Sequence, residues 1–204
     1  MQGQINLDSS FGKLIFMLAR QQKTIVEIGT WNGLGSTRCI IEALKSRQDD
    51  YEFYTIECQQ ERFQFSWDYW QSVLTLDQKS RIHLLHGSIL LPHQVPSKAS
   101  LANVDGFVEQ WYDEDVTAIS TSNYLLDLLP AAIDMLLLDG GEYTTYAEWQ
   151  VLKDRTKIIL LDDTACLKCA AVRQELLADP MYITVADNLT DRNGYAIFRN
   201  ITKS

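Results

Sequence analysis

Two stretches of the chain, Ile133 to Leu138 and Lys157 to Leu161, are apolar at nearly every position. A strand with one wet face alternates apolar and polar residues, whereas a strand apolar on both faces must be covered on both sides. Such strands belong to a parallel sheet, and parallel neighbours need helical crossovers between them. The rest of the sequence supplies both parts. Thr24 to Ile28 is a compact β-branched run ended by glycine, and Tyr51 to Glu57 and Arg81 to His86 are two further strands. Ser36 to Ser46 places Cys39, Ile40, Ala43 and Leu44 on one helical face, and Gln59 to Leu76 reads as a long, aromatic-rich helix whose rings belong mostly to the core. A last helix runs from about Ala165 to Ala178 and stops before Pro180. Tyr182 to Val185 and Tyr195 to Phe198 are separated by a turn containing Asn193-Gly194, with no room for a helix, so they pair as an antiparallel hairpin. The expected fold is α/β: a doubly wound, mostly parallel seven-stranded sheet with helices on both faces and a C-terminal antiparallel hairpin.

Two segments flank this pattern. A helix over about 9–22 precedes the first strand, with Asp8, Ser9 and Ser10 as candidate caps and Phe11, Leu14, Ile15 and Leu18 as its apolar stripe. The 44 residues 89–132 exceed one crossover helix and carry Phe107, Trp111 and Tyr112 beside Asp113, Glu114 and Asp115. They read as a lid or substrate-binding insertion, or as a surface helix pair with its rings turned inward.

Length and composition narrow the class. The 204 residues, 46% of them hydrophobic, fit one domain over 1–204 with a sizeable core. A formal charge of −9 opposes nucleic-acid binding, which needs a basic face, and docking on anionic membranes. No apolar run reaches the ~18–20 residues that span a bilayer. The six-residue stretch Leu14 to Ala19 follows no basic region or cleavage site, so no secretory signal is expected. Four cysteines make no disulfide scaffold, and a reducing cytoplasm is expected. The partner is a small-molecule substrate, and a homodimer is an open assembly state.

Glu27-Ile28-Gly29-Thr30-Trp31-Asn32-Gly33-Leu34-Gly35-Ser36 joins the first strand to its helix. Glycines there let the backbone turn sharply and approach a ligand, and the helix start offers free N–H groups. Glu57 ends the second strand, where a carboxylate can accept both hydroxyl hydrogens of a ribose. The two features point to a nucleoside-containing cofactor. Short-chain dehydrogenases share the glycine spacing, but they need a Tyr-x-x-x-Lys pair, and no tyrosine here has lysine four positions later.

Glu-Ile-Gly-x-Trp-x-Gly resembles the first motif of class I S-adenosylmethionine-dependent methyltransferases, most closely the metal-dependent O-methyltransferases of the catechol, caffeoyl-CoA and macrocin types. The likeness extends by order of elements from about Thr24 to Asn200 and includes Glu57, Gly87-Ser88, Asp139, Asp162-Asp163 and the final hairpin. It implies a Rossmann-like methyltransferase fold, and transfer of a methyl group from S-adenosylmethionine to a hydroxyl. It assigns cofactor binding to Glu27, Gly29, Trp31, Gly33, Gly35, Ser36, Glu57, Cys58, Gly87, Ser88 and Asp139. It also places a divalent metal on an Asp, Asp, Asn set, here Asp139, Asp162 and Asp163.

The residues carry their own argument for a metal. Asp139 ends one apolar strand, and Asp162 with Asp163 ends the other, with no sequence-adjacent lysine or arginine. Neighbouring strands run ~4.8 Å apart. Three such carboxylates repel unless their pKa values rise or a cation joins them. Hard oxygen ligands favour Mg²⁺, Ca²⁺ or Mn²⁺. Asp163 or Thr164 as a cap of the following helix is the alternative. The catechol-type relatives place a lysine base three residues after the first metal aspartate; Glu142 stands there, as a base or as an exposed loop carboxylate. With Asp139 it completes the candidate catalytic set. Non-catalytic cofactor binding remains the alternative function. Cys166-x-x-Cys169 has no second cysteine pair and reads as small buried residues on one helix face.

Overall fold

The structure, a computed structural model, describes residues 4–102 and 104–203. Five strands run parallel: β1 (Thr24–Ile28), β2 (Glu52–Glu57), β3 (Ile82–His86), β4 (Ile133–Leu138) and β5 (Thr156–Asp162). A hairpin of β6 (Tyr182–Asn188) and β7 (Tyr195–Asn200) adds antiparallel to β5, so the sheet order is β3-β2-β1-β4-β5-β7-β6. The helices are α1 (Ser10–Ala19), α2 (Ser36–Leu44), α3 (Gln60–Val73), α4 (Leu76–Lys79), α5 (Lys98–Leu101), α6 (Glu109–Thr121), α7 (Thr145–Leu152) and α8 (Leu167–Ala178). None is long and apolar enough to cross a membrane.

The period-2 geometry of the strands explains the runs that looked apolar throughout. Ile25, Phe53, Met135, Leu137 and Leu160 point to one face, under α1 and α2. Val26, Ile56, Leu136, Leu138 and Leu161 point to the other, where Tyr112, Trp149 and Val172 cover them. Each face therefore has its own core. The chain leaves β1 toward β2 and β3, then returns to β4 on the other side of β1. That reversal opens a crevice at the carboxyl ends of β1 and β4.

Several elements differ from the sequence expectation, each for a local reason. Helix α1 is capped by Ser9, whose Oγ accepts the Gly12 N–H at 3.1 Å, rather than by Asp8 or Ser10. The aromatic helix is mostly solvated: α3 buries only Ser66 and Trp70, while Phe65 is 50% exposed and Trp67 also faces out. Helix α7 was not foreseen, although Trp149 and Leu152 anchor it in the core. Helix α8 starts at Leu167 because the preceding residues are tied elsewhere. The Thr164 and Ala165 N–H groups donate to Gly194 O and Asn193 O in the hairpin turn. In the 89–132 insertion, Phe107 and Tyr112 turn inward against Tyr143, whereas Trp111 is exposed.

Candidate active site

A cavity of about 300 Å³ lies at the carboxyl ends of β1, β2, β4 and β5. Its walls contain Gly29, Trp31, Gly35 and Ser36 from the first loop, Glu57 and Cys58 after β2, Gly87 and Ser88 after β3, and Asp139, Asp162 and Asp163 after β4 and β5. The sequence motifs therefore converge on one space. Three expected residues do not line it: Glu27, Gly33 and Glu142.

Each of these three has a structural task. Glu27 is fully buried beneath the glycine loop. Ser36 Oγ donates to its Oε1 at 2.6 Å, and Thr37 and Thr55 hydroxyls donate to its Oε2 at 2.7 and 2.6 Å. Burial still pushes its pKa up to about 7, so neutral donors only partly replace water. Gly33 sits at φ +70°, and an added Cβ would lie 2.7 Å from Nε1 of Trp70, which donates to Gly33 O at 3.0 Å. Its glycine makes room for an indole. Glu142 Oε1 accepts the Lys168 N–H at 3.2 Å and so serves the first turn of α8, whose N-cap Cys166 makes no side-chain cap.

At the other glycine the close approach is backbone to backbone. Gly29 has φ +97°, and a Cβ there would lie 2.1 Å from Asp139 O. The ends of β1 and β4 can meet this closely only without a side chain. Glu57, buried at the end of β2, accepts the Trp31 N–H at 2.7 Å and the Gln59 N–H at 2.9 Å. Burial raises its pKa, against the pull of those two backbone donors. Each carboxylate oxygen has a second lone pair for a ligand.

The three aspartates meet as expected, with one oxygen of each within 4.8 Å of the others. They are not short of cations. Lys168, the second residue of α8 and only 8% exposed, points its Nζ between them, 2.6 Å from Asp139 Oδ1 and 2.6 Å from Asp163 Oδ2. Arg192, from the β6–β7 turn, lies 3.1 Å from Asp162 Oδ2 and 3.8 Å from Asp163 Oδ1. Burial disfavours the Lys168 charge, but Asp139 and Asp163 outweigh it and hold the ammonium well above its ordinary pKa. The same lysine, with Asn193 and Arg192, overcomes burial to keep Asp163 below its usual value. Asp162 goes the other way, to about 7, through burial and the two neighbouring carboxylates.

These contacts test the expected metal. Hard oxygen donors suit a divalent ion, but such an ion binds carboxylate oxygen at about 2.0–2.6 Å. An ammonium 2.6 Å from two of the three ligands already stands in that space. The residues do not fit a resident divalent cation while Lys168 keeps this position. The capping alternative is not borne out: Asp163 turns to Lys168, and α8 has Cys166 as its N-cap with no side-chain cap from Asp163 or Thr164.

Sequence reasoning passed over other lining residues. Arg62 comes from α3, Asp115 and Ile119 from α6, and Thr144 and Glu148 from the end of the β4 loop and from α7. Asp115 is pushed up to about 6 and Glu148 to about 7, both chiefly by burial. Glu148 Oε1 accepts from Thr144 at 3.0 Å, while its buried Oε2 has no hydrogen-bond partner among the described residues. Gly140 admits this carboxylate, since a Cβ there would lie 2.7 Å from Oε2. The φ values of Trp31, Asp163 and Arg192 are +50°, +54° and +56°. Among the described residues they are the non-glycine positions with left-handed backbone, and all three line the cavity. Strain of this kind is held where a site requires it. Cys58 lines the cavity and Cys169 is buried; burial raises the thiols of Cys58, Cys166 and Cys169, which opposes a reactive pair at Cys166 and Cys169.

No family model matches the chain, and no curated protein sequence matches it. Its structure is similar to solved structures. A methyltransferase from Podospora anserina with S-adenosylhomocysteine bound has a TM-score of 0.62 at 16% identity, covering 93% of this chain and 77% of the other. An O-methyltransferase from Bacillus cereus, also in complex with S-adenosylhomocysteine, has a TM-score of 0.61 at 12% identity, with 97% and 84% covered. An O-methyltransferase of tomaymycin synthesis from Streptomyces achromogenes, in complex with S-adenosylmethionine, has a TM-score of 0.55 at 15% identity, with 93% and 78% covered. The chain has the fold of these methyltransferases, a mostly parallel seven-stranded sheet closed by an antiparallel hairpin.

Proposed function

We propose that the chain is an S-adenosylmethionine-dependent methyltransferase acting on a hydroxyl of a small molecule. The observation that carries this reading is the pairing of the Gly29 turn with Glu57 in one cavity that is richer in acids than in bases. Glu57, Asp115, Asp139, Glu148, Asp162 and Asp163 line it, against Arg62, Lys168 and Arg192. Such a wall opposes the pyrophosphate of a nicotinamide dinucleotide and suits a cofactor bearing a sulfonium and an ammonium. The three similar structures with this cofactor or its demethylated product bound support the same choice.

S-adenosylmethionine, when bound, supplies a methyl group on positively charged sulfur. The chain's own residues do the rest. Glu57 holds the ribose hydroxyls, with its carboxylate fixed by the Trp31 and Gln59 N–H groups. Trp31, Cys58, Gly87 and Ser88 form the wall for the base. Gly29, Gly35 and Ser36 let the backbone approach the amino-acid end. Asp139 stands where the reading requires the reacting end, with Lys168 fixing its Oδ1, and it is the candidate proton acceptor. No step is assigned to a divalent ion. Glu142 is not assigned the base, because it lies off the cavity and serves α8.

The test is turnover. Incubation with methyl-labelled S-adenosylmethionine and a panel of small hydroxyl compounds is expected to release S-adenosylhomocysteine only when an acceptor is present. Binding of the cofactor with no transfer to any acceptor would favour a non-catalytic binder. That second reading draws on the carboxylate at position 142, where catechol-type relatives have a lysine.

A further inference from the structure

We infer that Lys168 is the built-in cation of the acidic cluster, standing in the position that would otherwise take a divalent metal ion. Its Nζ bridges Asp139 at the end of β4 and Asp163 at the end of β5, at 2.6 Å from each. These are the two strands whose ends bring the carboxylates together. The lysine is delivered with little freedom. Its backbone N–H is held by Glu142 Oε1 at 3.2 Å, its side chain is 8% exposed, and the helix that carries it is buried through Cys169, Val172 and Leu176. The loop before that helix is anchored on the hairpin turn by Thr164 and Ala165. Asp163 keeps its left-handed backbone within this frame.

The arrangement divides neutralisation between two tethered cations. Lys168 serves Asp139 and Asp163, and Arg192 serves Asp162. A divalent ion on the same oxygens would stand within a few ångströms of an ammonium and a guanidinium, and their repulsion would expel one or the other. Lys168 is thus a positioning residue: it fixes Asp139 from the side and closes the cluster to hydrated metal. Glu142, which holds its backbone, does so at the place where a base was expected from sequence.

Manganese is a direct probe, because free and bound Mn²⁺ differ in their electron paramagnetic resonance signal. Mn²⁺ titrated into the full chain is expected to show no saturable site below about 1 mM, and neither EDTA nor Mg²⁺ should shift its melting temperature. Lys168→Met removes the charge and keeps an apolar side chain of similar length. This variant should gain one Mn²⁺ site at least about tenfold tighter than wild type, with Mn²⁺ restoring melting temperature lost to the substitution. One Mn²⁺ per chain bound by the wild type at micromolar concentration would overturn the inference, as would a folded Lys168→Met that gains no site. The wild-type titration decides by itself if the variant does not fold. S-adenosylhomocysteine titrated into the same sample separates this inference from the cofactor reading: its failure to bind would end that reading and leave the cation result standing.

Discussion

Acids in and beneath the two halves of the cavity are held in opposite ways. At the ends of β1 and β2, Glu27 and Glu57 are held by neutral donors: three hydroxyls for one, two backbone N–H groups for the other. At the ends of β4 and β5, Asp139, Asp162 and Asp163 are held by Lys168 and Arg192. Neutral donors orient a carboxylate without consuming its charge, which suits a group that must still bind hydroxyls. Tethered cations keep Asp163 ionised and the cluster ordered, while burial still raises Asp139 and Asp162. Under the proposed function the first half receives the ribose of the cofactor, whereas the second holds its carboxylates in place with side chains of the chain itself.

The contrast can be broken most forcefully at Lys168. Lys168→Met leaves buried carboxylates unpaired and should cost about 3–5 kcal/mol of stability, read by urea denaturation. A loss below about 1 kcal/mol would mean that water reaches the cluster and that the two halves are alike.

On the neutral side the vulnerable element is backbone. Gly29→Ala places a Cβ against Asp139 O at a φ of +97° and should cost about 3 kcal/mol. The loss should be independent of pH and salt, because its cause is steric. A strongly salt-dependent loss would show that the ends of β1 and β4 are joined by charge.

Glu148 sharpens the comparison, since among the described residues it forms no ion pair and has a single donor, Thr144. Its pKa is raised from 4.5 to about 7 by burial. Between those values the folded chain keeps a proton that the unfolded chain has lost. Stability therefore falls as pH rises from about 4.5 to 7 and stays low above that. Glu148→Gln removes the charge, so the variant should match wild type near pH 4 and exceed it at pH 8 by about 1–3 kcal/mol. Equal pH profiles for the two proteins would place Glu148 in contact with water.

Much of this was legible in the sequence, and the gaps have physical causes. Strand β1 falls where its β-branched run puts it, and Gly29, Trp31, Gly35 and Ser36 of the glycine loop, Glu57 and the three aspartates all line one crevice. Apolar runs and chain-order motifs report local structure and strand ends, which a doubly wound sheet converts into position. The cations escaped because helix and hairpin geometry bring them in. Lys168 lies five residues beyond Asp163 and reaches back from the first turn of α8, while Arg192 arrives from a turn 30 residues after Asp162. At position 142, three residues from Asp139, the chain has Glu142 in place of a lysine, and that glutamate holds the Lys168 backbone. The aromatic helix misled for a different reason. Its rings are spread around α3, so only Trp70 is fully buried, Phe63 and Tyr69 pack partly exposed against the core, and ring content without helical phase does not report burial.

The half of the cavity at the end of β2 is proposed to hold a nucleoside cofactor through Glu57. Calorimetric titration of S-adenosylhomocysteine into wild type and Glu57→Ala tests it most directly. Micromolar or tighter binding to wild type is expected, with a loss of about 1.5–3 kcal/mol in the variant, roughly 10- to 150-fold, from the removed bonds to the ribose hydroxyls. Unchanged affinity in Glu57→Ala, or tighter binding of NAD than of S-adenosylhomocysteine to wild type, would contradict it.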